Sequence, residues 1–153
     1  MEVILLDREG ASAIHTTRAR GEPVDIMGRL LIVDDEPDYL DELAEALEFV
    51  GVASVNVSRA AAALEAVRGD PQIHMVLTDI RMPDMDGVTL IEALRAAFPE
   101  RHLTFIVMTG HAAEVDVRRA EAAGAAACFS KPLDFEALCA TIATMEAAHE
   151  QQP

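Results

Sequence analysis

Asp34 and Asp35, Asp79, Thr109 and Lys131 each follow a short apolar run, and each is a residue type that can sit on phosphate or metal. The runs are Leu30-Leu31-Ile32-Val33, Met75-Val76-Leu77-Thr78, Phe105-Ile106-Val107-Met108 and Ala126-Ala127-Cys128-Phe129-Ser130. Apolar runs of this length bounded by polar residues read as buried strands. In an open parallel α/β sheet the carboxyl ends of the strands share one edge, and ligands bind there. The runs therefore deliver three carboxylates, a hydroxyl and an ammonium to one cleft. Three neighbouring carboxylates repel, so the cluster is best tolerated around a cation. Magnesium takes carboxylate oxygens, keeps several waters and often shares a phosphate oxygen. Lys131 adds a positive point charge for a phosphoryl group, and Thr109 one hydrogen bond. An aspartate near the ion and the lysine could attack phosphorus, giving an aspartyl phosphate. Positioning and charge neutralisation would then supply most of the rate. Taken singly, an Asp after a strand is an ordinary cap or turn residue. The conjunction in strand order is what points to chemistry.

The elements that must position these groups are legible around them. Residues 29–149 alternate strand and helix five times. Asp38 to Val50 carries Leu40, Leu43, Leu47 and Val50 at helical spacing, with Pro37 suited to the first turn and Gly51 to the stop. A helix over Ala60 to Arg68 follows Ser58, which is expected to cap it. Val88 to Phe98 turns Leu90, Ile91 and Leu94 inward, and Pro99 ends it. Further helices are expected over Ala112 to Ala123, before Gly124, and over Phe135 to His149. The run Val52 to Val57 supplies one more strand. Strands separated by helices in this way imply right-handed βαβ units and a parallel sheet.

Residues 1–28 form an N-terminal extension of different character, with a short apolar start at Val3-Ile4-Leu5-Leu6 and a mixed, turn-rich remainder. The reading is a mobile lead-in or a short packing arm, with Met27 as an alternative start. Residues 150–153 make a C-terminal tail. The chain has 27 acidic and 12 basic residues, a net charge of −15, which disfavours nucleic acid and anionic membranes as direct partners. No run approaches the ~20 apolar residues of a membrane span, and the N-terminus lacks the pattern of a secretory signal. A cytoplasmic protein is expected. Cys128 and Cys139 lie in apolar segments and read as small buried hydrophobes without a disulfide. His15, His74, His102 and His149 show no paired metal spacing and read as surface or strand-edge residues. The methionines are scattered, as core filling would be.

Residues 29–149, about four-fifths of the chain, resemble the receiver domain of bacterial two-component response regulators. The matching stretches are LLIVDDEP (Leu30–Pro37), VLTDIRMPDMDG (Val76–Gly87), IVMTGH (Ile106–His111) and FSKPLD (Phe129–Asp134). Gaps of 44 residues from Asp35 to Asp79, 30 to Thr109 and 22 to Lys131 agree with that family's spacing. The resemblance implies a doubly wound, flavodoxin-like α/β fold: a five-stranded parallel sheet of order 2-1-3-4-5 with helices on both faces. It implies that Asp79 accepts phosphate from a phosphohistidine on a sensor histidine kinase or phosphotransfer protein. It implies that Asp34, Asp35 and Asp79 hold Mg2+ together with the backbone carbonyl of Arg81. Thr109 and Lys131 match the switch hydroxyl and the phosphate-binding lysine, and the Lys131–Pro132 bond matches one that is typically cis. Pro83 and Gly87 match the turn after the acceptor. Arg81 and His111 stand at positions that border the phosphoryl group and tune its hydrolysis.

One family feature is missing. The switch aromatic, three residues before the lysine, is Cys128 here, and the neighbouring Phe129 would point to the opposite face of the strand. After the last helix no effector module follows, so the reading is a stand-alone receiver rather than an enzyme. Two functions suit it: a regulator that docks on a downstream target protein, or a relay intermediate that passes its phosphate to another histidine. An aspartate-nucleophile phosphatase is disfavoured, because that class shows Asp-x-Asp where this chain has Asp34-Asp35-Glu36. A flavin site lacks its Ser/Thr-rich loop after Val33. The alanine-rich outer face of the last helix, with Arg118 and Arg119 at its rim, is the expected surface for a partner or a second copy of the chain.

Overall fold

The structure, a computed structural model, describes residues 29–110 and 114–151. Five strands alternate with five helices: β1 (Arg29–Val33), α1 (Pro37–Phe49), β2 (Ser54–Val57), α2 (Ala60–Gly69), β3 (Ile73–Asp79), α3 (Gly87–Ala97), β4 (Thr104–Thr109), α4 (Glu114–Ala123), β5 (Ala125–Ser130) and α5 (Phe135–Glu150). All pairings are parallel, in the order β2-β1-β3-β4-β5. This is the doubly wound arrangement expected from the alternation of apolar runs and amphipathic segments.

Two cores cover the two faces of the sheet, because successive strand residues point to opposite sides. Leu31, Val33, Val76, Phe105 and Val107 pack with Ala63 and Val67 of α2, Leu90, Ile91 and Leu94 of α3 and Ala120 of α4. Leu30, Ile32, Met75, Leu77, Ile106 and Met108 pack with Leu40, Leu43 and Leu47 of α1 and Leu138, Cys139 and Ile142 of α5. Every residue of β3 is buried, as a central strand covered on both faces must be. Cys128 packs on the first core and Phe129 on the second, so the two lie on opposite faces of β5. Both cysteines are free, and burial pushes the Cys139 thiol up to about 11.

The ends of α1 and the starts of α3 and α5 follow their local chemistry, with one exception at the start of α2. Pro37 opens α1. Gly51, at φ 94°, closes it by a Schellman pattern, with Gly51 N–H donating to Glu48 and Val52 N–H to Leu47. Because Val52 spends its N–H on the helix, β2 begins only at Ser54 rather than at Val52. Asp86 and Asp134 cap α3 and α5 through their side chains. The cap expected from Ser58 does not form. Arg59 is the N-cap residue of α2 and makes no side-chain cap bond. Asp84, on the loop after β3, accepts from Ala60 N–H at 2.9 Å instead. A donor that sequence reasoning assigns to a neighbour is satisfied from 24 residues away.

The histidines also depart from expectation. His74 is neither on the surface nor at a sheet edge: it lies on the central strand, 7% exposed. Its Nε2 meets both carboxylate oxygens of Glu146 on α5 at 3.0 Å, and its ring stacks on His149 at 3.9 Å. His102 is exposed and His149 half-buried; His15 lies outside the described residues. No described helix is long and apolar enough to cross a membrane.

Candidate functional site

The sheet register brings the chemistry-bearing residues together. Val33 stands opposite Thr78, so the residues that follow, Asp34 and Asp79, emerge side by side. Asp79 stands opposite Met108, and Thr109 opposite Ser130, which puts Lys131 one step beyond Thr109. The backbone closes this edge: Asp34 N–H donates to Val57, Ile80 N–H to Met108 and Lys131 N–H to Thr109. The Lys131–Pro132 peptide is cis. Gly87 presses on the end of β3 so closely that an added Cβ would come within 2.2 Å of the Asp79 carbonyl oxygen.

Lys131 is the cation at the centre. Its Nζ lies 2.8 Å from Asp34 Oδ2, 3.2 Å from Asp79 Oδ2 and 3.6 Å from Glu36 Oε1, and it sits over the Tyr39 ring at 4.4 Å. Asp34 is fully buried and its other oxygen accepts from Glu36 N–H. Burial opposes the ammonium of Lys131, yet the hydrogen bond to Asp34 and the charges of Asp79 and Asp34 together hold its pKa above the ordinary lysine value. Burial raises the pKa of Asp79, and the charge of Asp34 adds to it, against the lowering effect of Lys131 and of a hydrogen bond from the Arg81 backbone. Thr109 is fully buried at the end of β4.

The donor set suits a hard divalent cation. Asp34, Asp35 and Asp79 offer carboxylate oxygens that all lie within 4.8 Å of one another. Around octahedral Mg2+ at ~2.1 Å, ligand oxygens sit about 3 Å apart in cis and about 4.2 Å in trans. A small closure of the cluster would reach that geometry. The residues present therefore fit the ion.

Sequence reasoning missed the partners of the flanking groups. The Arg81 guanidinium reaches across to α4, where Nη2 donates to Asp116 Oδ2 at 2.6 Å. Arg119 bonds Asp116 and also both carboxylate oxygens of Asp86, each at 3.3 Å. Arg119 is thus turned toward the loop after Asp79, while Arg118 pairs with Glu114. A usable signal was present: Asp116 is the one charged residue on α4 that falls in phase with its buried Ala120. His111 lies outside the described residues.

The parallel sheet with acidic residues at its carboxyl edge defines a class, and comparison with known proteins agrees. The family model for the response regulator receiver domain matches residues 30–143, and the chain belongs to that family. Among curated proteins, the two-component response regulator PprB of Pseudomonas aeruginosa is 35% identical over 105 residues, covering 68% of this chain and 38% of that protein. The sensor histidine kinase GacS of Pseudomonas protegens is 31% identical over 144 residues, covering 90% of this chain and 16% of the kinase. The chain thus spans well under two-thirds of these relatives. Among solved structures, a CheY-like response regulator receiver domain protein from Methanospirillum hungatei superposes with a TM-score of 0.75 at 29% identity, covering 82% of this chain and 98% of that one. The protein is a receiver domain of two-component signalling.

Proposed function

We propose that Asp79 accepts a phosphoryl group from a phosphohistidine donor in a Mg2+-dependent reaction, and that the loaded domain signals through a protein-binding face. The observation that supports this reading is the placement of a buried Asp79 carboxylate 3.2 Å from Lys131 Nζ and within the Asp34–Asp35 acidic cluster. An Asp79 oxygen forms the new P–O bond as the P–N bond of the donor breaks, and the imidazole leaves with its electron pair and is protonated. Mg2+, when bound, supplies charge neutralisation on the transferred group. Asp34, Asp35, Asp79 and the Arg81 carbonyl would hold it. Lys131 draws one phosphoryl oxygen and the Thr109 hydroxyl donates to another. The domain assists its own loading and hydrolysis and is no enzyme toward other substrates.

The donor is a sensor histidine kinase or a histidine phosphotransfer protein. The downstream partner is a protein, since the net charge of −15 works against nucleic acid and anionic lipid; the cytoplasm is the compartment these partners require. The outer face of α5, where Ala140 and Thr144 are exposed, is assigned to that partner or to a second copy of the chain. The match to part of a sensor kinase supports a second reading, in which the domain relays its phosphate to another histidine.

Incubation with acetyl phosphate and Mg2+, followed by intact mass, tests the acceptor. One phosphoryl mass should appear, vanish on chelation of the metal, and be lost in Asp79→Ala. Full loading of Asp79→Ala would place the acceptor elsewhere. Rapid return of label to a phosphotransfer protein would favour the relay.

A further inference from the structure

The loop after Asp79 is tied to α4 by a closed chain of charges that the site chemistry leaves unexplained. Arg81 stands two residues past Asp79, and its backbone N–H bonds the Asp79 carboxylate. Its guanidinium holds Asp116 Oδ2 at 2.6 Å. The other Asp116 oxygen takes Arg119 at 3.3 Å, and Arg119 continues to Asp86, which caps α3 through Val88 N–H at 2.7 Å. The path Arg81–Asp116–Arg119–Asp86 therefore starts beside the acceptor, crosses to α4 and returns to the same loop. The two members of the Arg81–Asp116 pair differ in how firmly they are held. The Asp116 side chain is 6% exposed, whereas that of Arg81 is 61% exposed. A buried carboxylate needs its cations, and losing one is costly. An exposed guanidinium on a loop is free to turn, provided a better anion is offered.

We propose that Asp116 is a positioning residue for the acceptor loop, and that a phosphoryl group on Asp79 draws Arg81 off Asp116 and so releases α4. The inference rests on the reading of Asp79 as phosphoacceptor. The driving force is the choice offered to one guanidinium. Before loading, the Asp79 carboxylate is already engaged by Lys131 at 3.2 Å, and Asp116 takes Arg81. After loading, a group carrying about two negative charges and three acceptor oxygens stands two residues away. A planar guanidinium binds such a group in bidentate fashion. Asp116 then keeps only the longer bond to Arg119, and the buried end of α4 loses its firmest polar tie to the loop.

Amide hydrogen exchange over residues 114–123, read beside intact mass in the same samples, tests the inference. In the natural chain, loading with acetyl phosphate and Mg2+ should raise exchange in this helix by about tenfold. Asp116→Asn should show the raised exchange before loading and little further change after it. Arg81→Gln, at the exposed end of the pair, should do the same. Asp116→Glu, which restores the charge, should recover a response to loading. A phosphoryl mass gain with unchanged exchange over 114–123 would overturn the inference alone. So would an Asp116→Asn protein, folded by far-ultraviolet circular dichroism, that responds to loading as the natural chain does. Absence of any mass gain in the natural chain would overturn the phosphoacceptor reading and this inference with it.

Discussion

Lys131 stands closer to Asp34, at 2.8 Å, than to Asp79, at 3.2 Å. The ammonium therefore has two tasks: it neutralises the fully buried Asp34 carboxylate and it stands beside that of Asp79. Its side chain is only 15% exposed.

The first task sets an expectation for Lys131→Ala. Removing one partner of a buried charged group costs about 3–5 kcal/mol where the remaining charge is fully enclosed. Asp34 is enclosed and Asp79 nearly so. Urea unfolding without metal should show a loss of about 3 kcal/mol. Added Mg2+ should restore part of it, because the ion neutralises the same carboxylates. A variant as stable as the natural chain in both conditions would show that Asp34 does not depend on Lys131 for neutralisation.

Mg2+ should stabilise the natural chain by mass action. At free ion about 100 times its dissociation constant the gain is about 2.7 kcal/mol. Asp35→Asn removes a carboxylate from the cluster without touching the Lys131 contacts. It should shift the midpoint of the Mg2+ titration of stability to several-fold higher concentration. An unchanged midpoint would remove Asp35 from the ligand set.

Gly87→Ala should destabilise the chain through contact rather than through conformation. The added Cβ would meet the Asp79 carbonyl oxygen at 2.2 Å and Ile80 Cα at 2.9 Å, both backbone atoms at the end of β3. Overpacking of this kind costs about 1–3 kcal/mol. The displaced strand end should also weaken Mg2+ binding. Calorimetric unfolding and a Mg2+ titration read the two effects separately, and a variant with neither would show that the loop yields freely.

Stability should depend on pH through His74. Burial opposes its protonated form, but the hydrogen bond to Glu146 and that residue's charge outweigh burial and raise the pKa above the ordinary 6.5. A raised folded pKa means that the contribution is fully present below 6.5 and is lost as pH rises through the folded value. His149 works the other way: burial, then the charges of His74 and His102, lower its pKa, so it costs stability as pH falls below 6.5. Its Nδ1 is buried with no hydrogen-bond partner among the described residues. Urea midpoints should therefore decline as pH is raised above 6.5, and His74→Gln should flatten that decline. A decline that persists in His74→Gln would assign it to another group.

Much of the fold was legible because its signals are local. Four apolar runs ending in polar residues, helices with periodic leucines, Pro37 and Gly51 at the ends of α1, and Pro99 after α3 each carry their meaning within a few residues. Errors arose where a group's partner is distant in sequence. Ser58 is a chemically suitable cap, but Asp84 reaches the α2 terminus first. Gln72, two residues before His74, engages only Nδ1 through its carbonyl; the carboxylate that holds Nε2 and accounts for the burial of the ring, Glu146, lies 72 residues away.

What the sequence determined by itself is the inventory and the period: which residues could take metal and phosphate, and that each follows a strand of a parallel sheet. Side-chain alternation and strand length are properties of a single segment, and they suffice to put Asp34, Asp79, Thr109 and Lys131 at one edge. Only the tertiary structure decided which charges share a bond. The preference of Lys131 for Asp34, the turn of Arg81 toward Asp116 and the His74–Glu146 pair depend on the register of neighbouring strands and on the faces that α4 and α5 present. Those are relations between segments, and in a folded chain a charge is neutralised by whichever opposite group packing brings within reach.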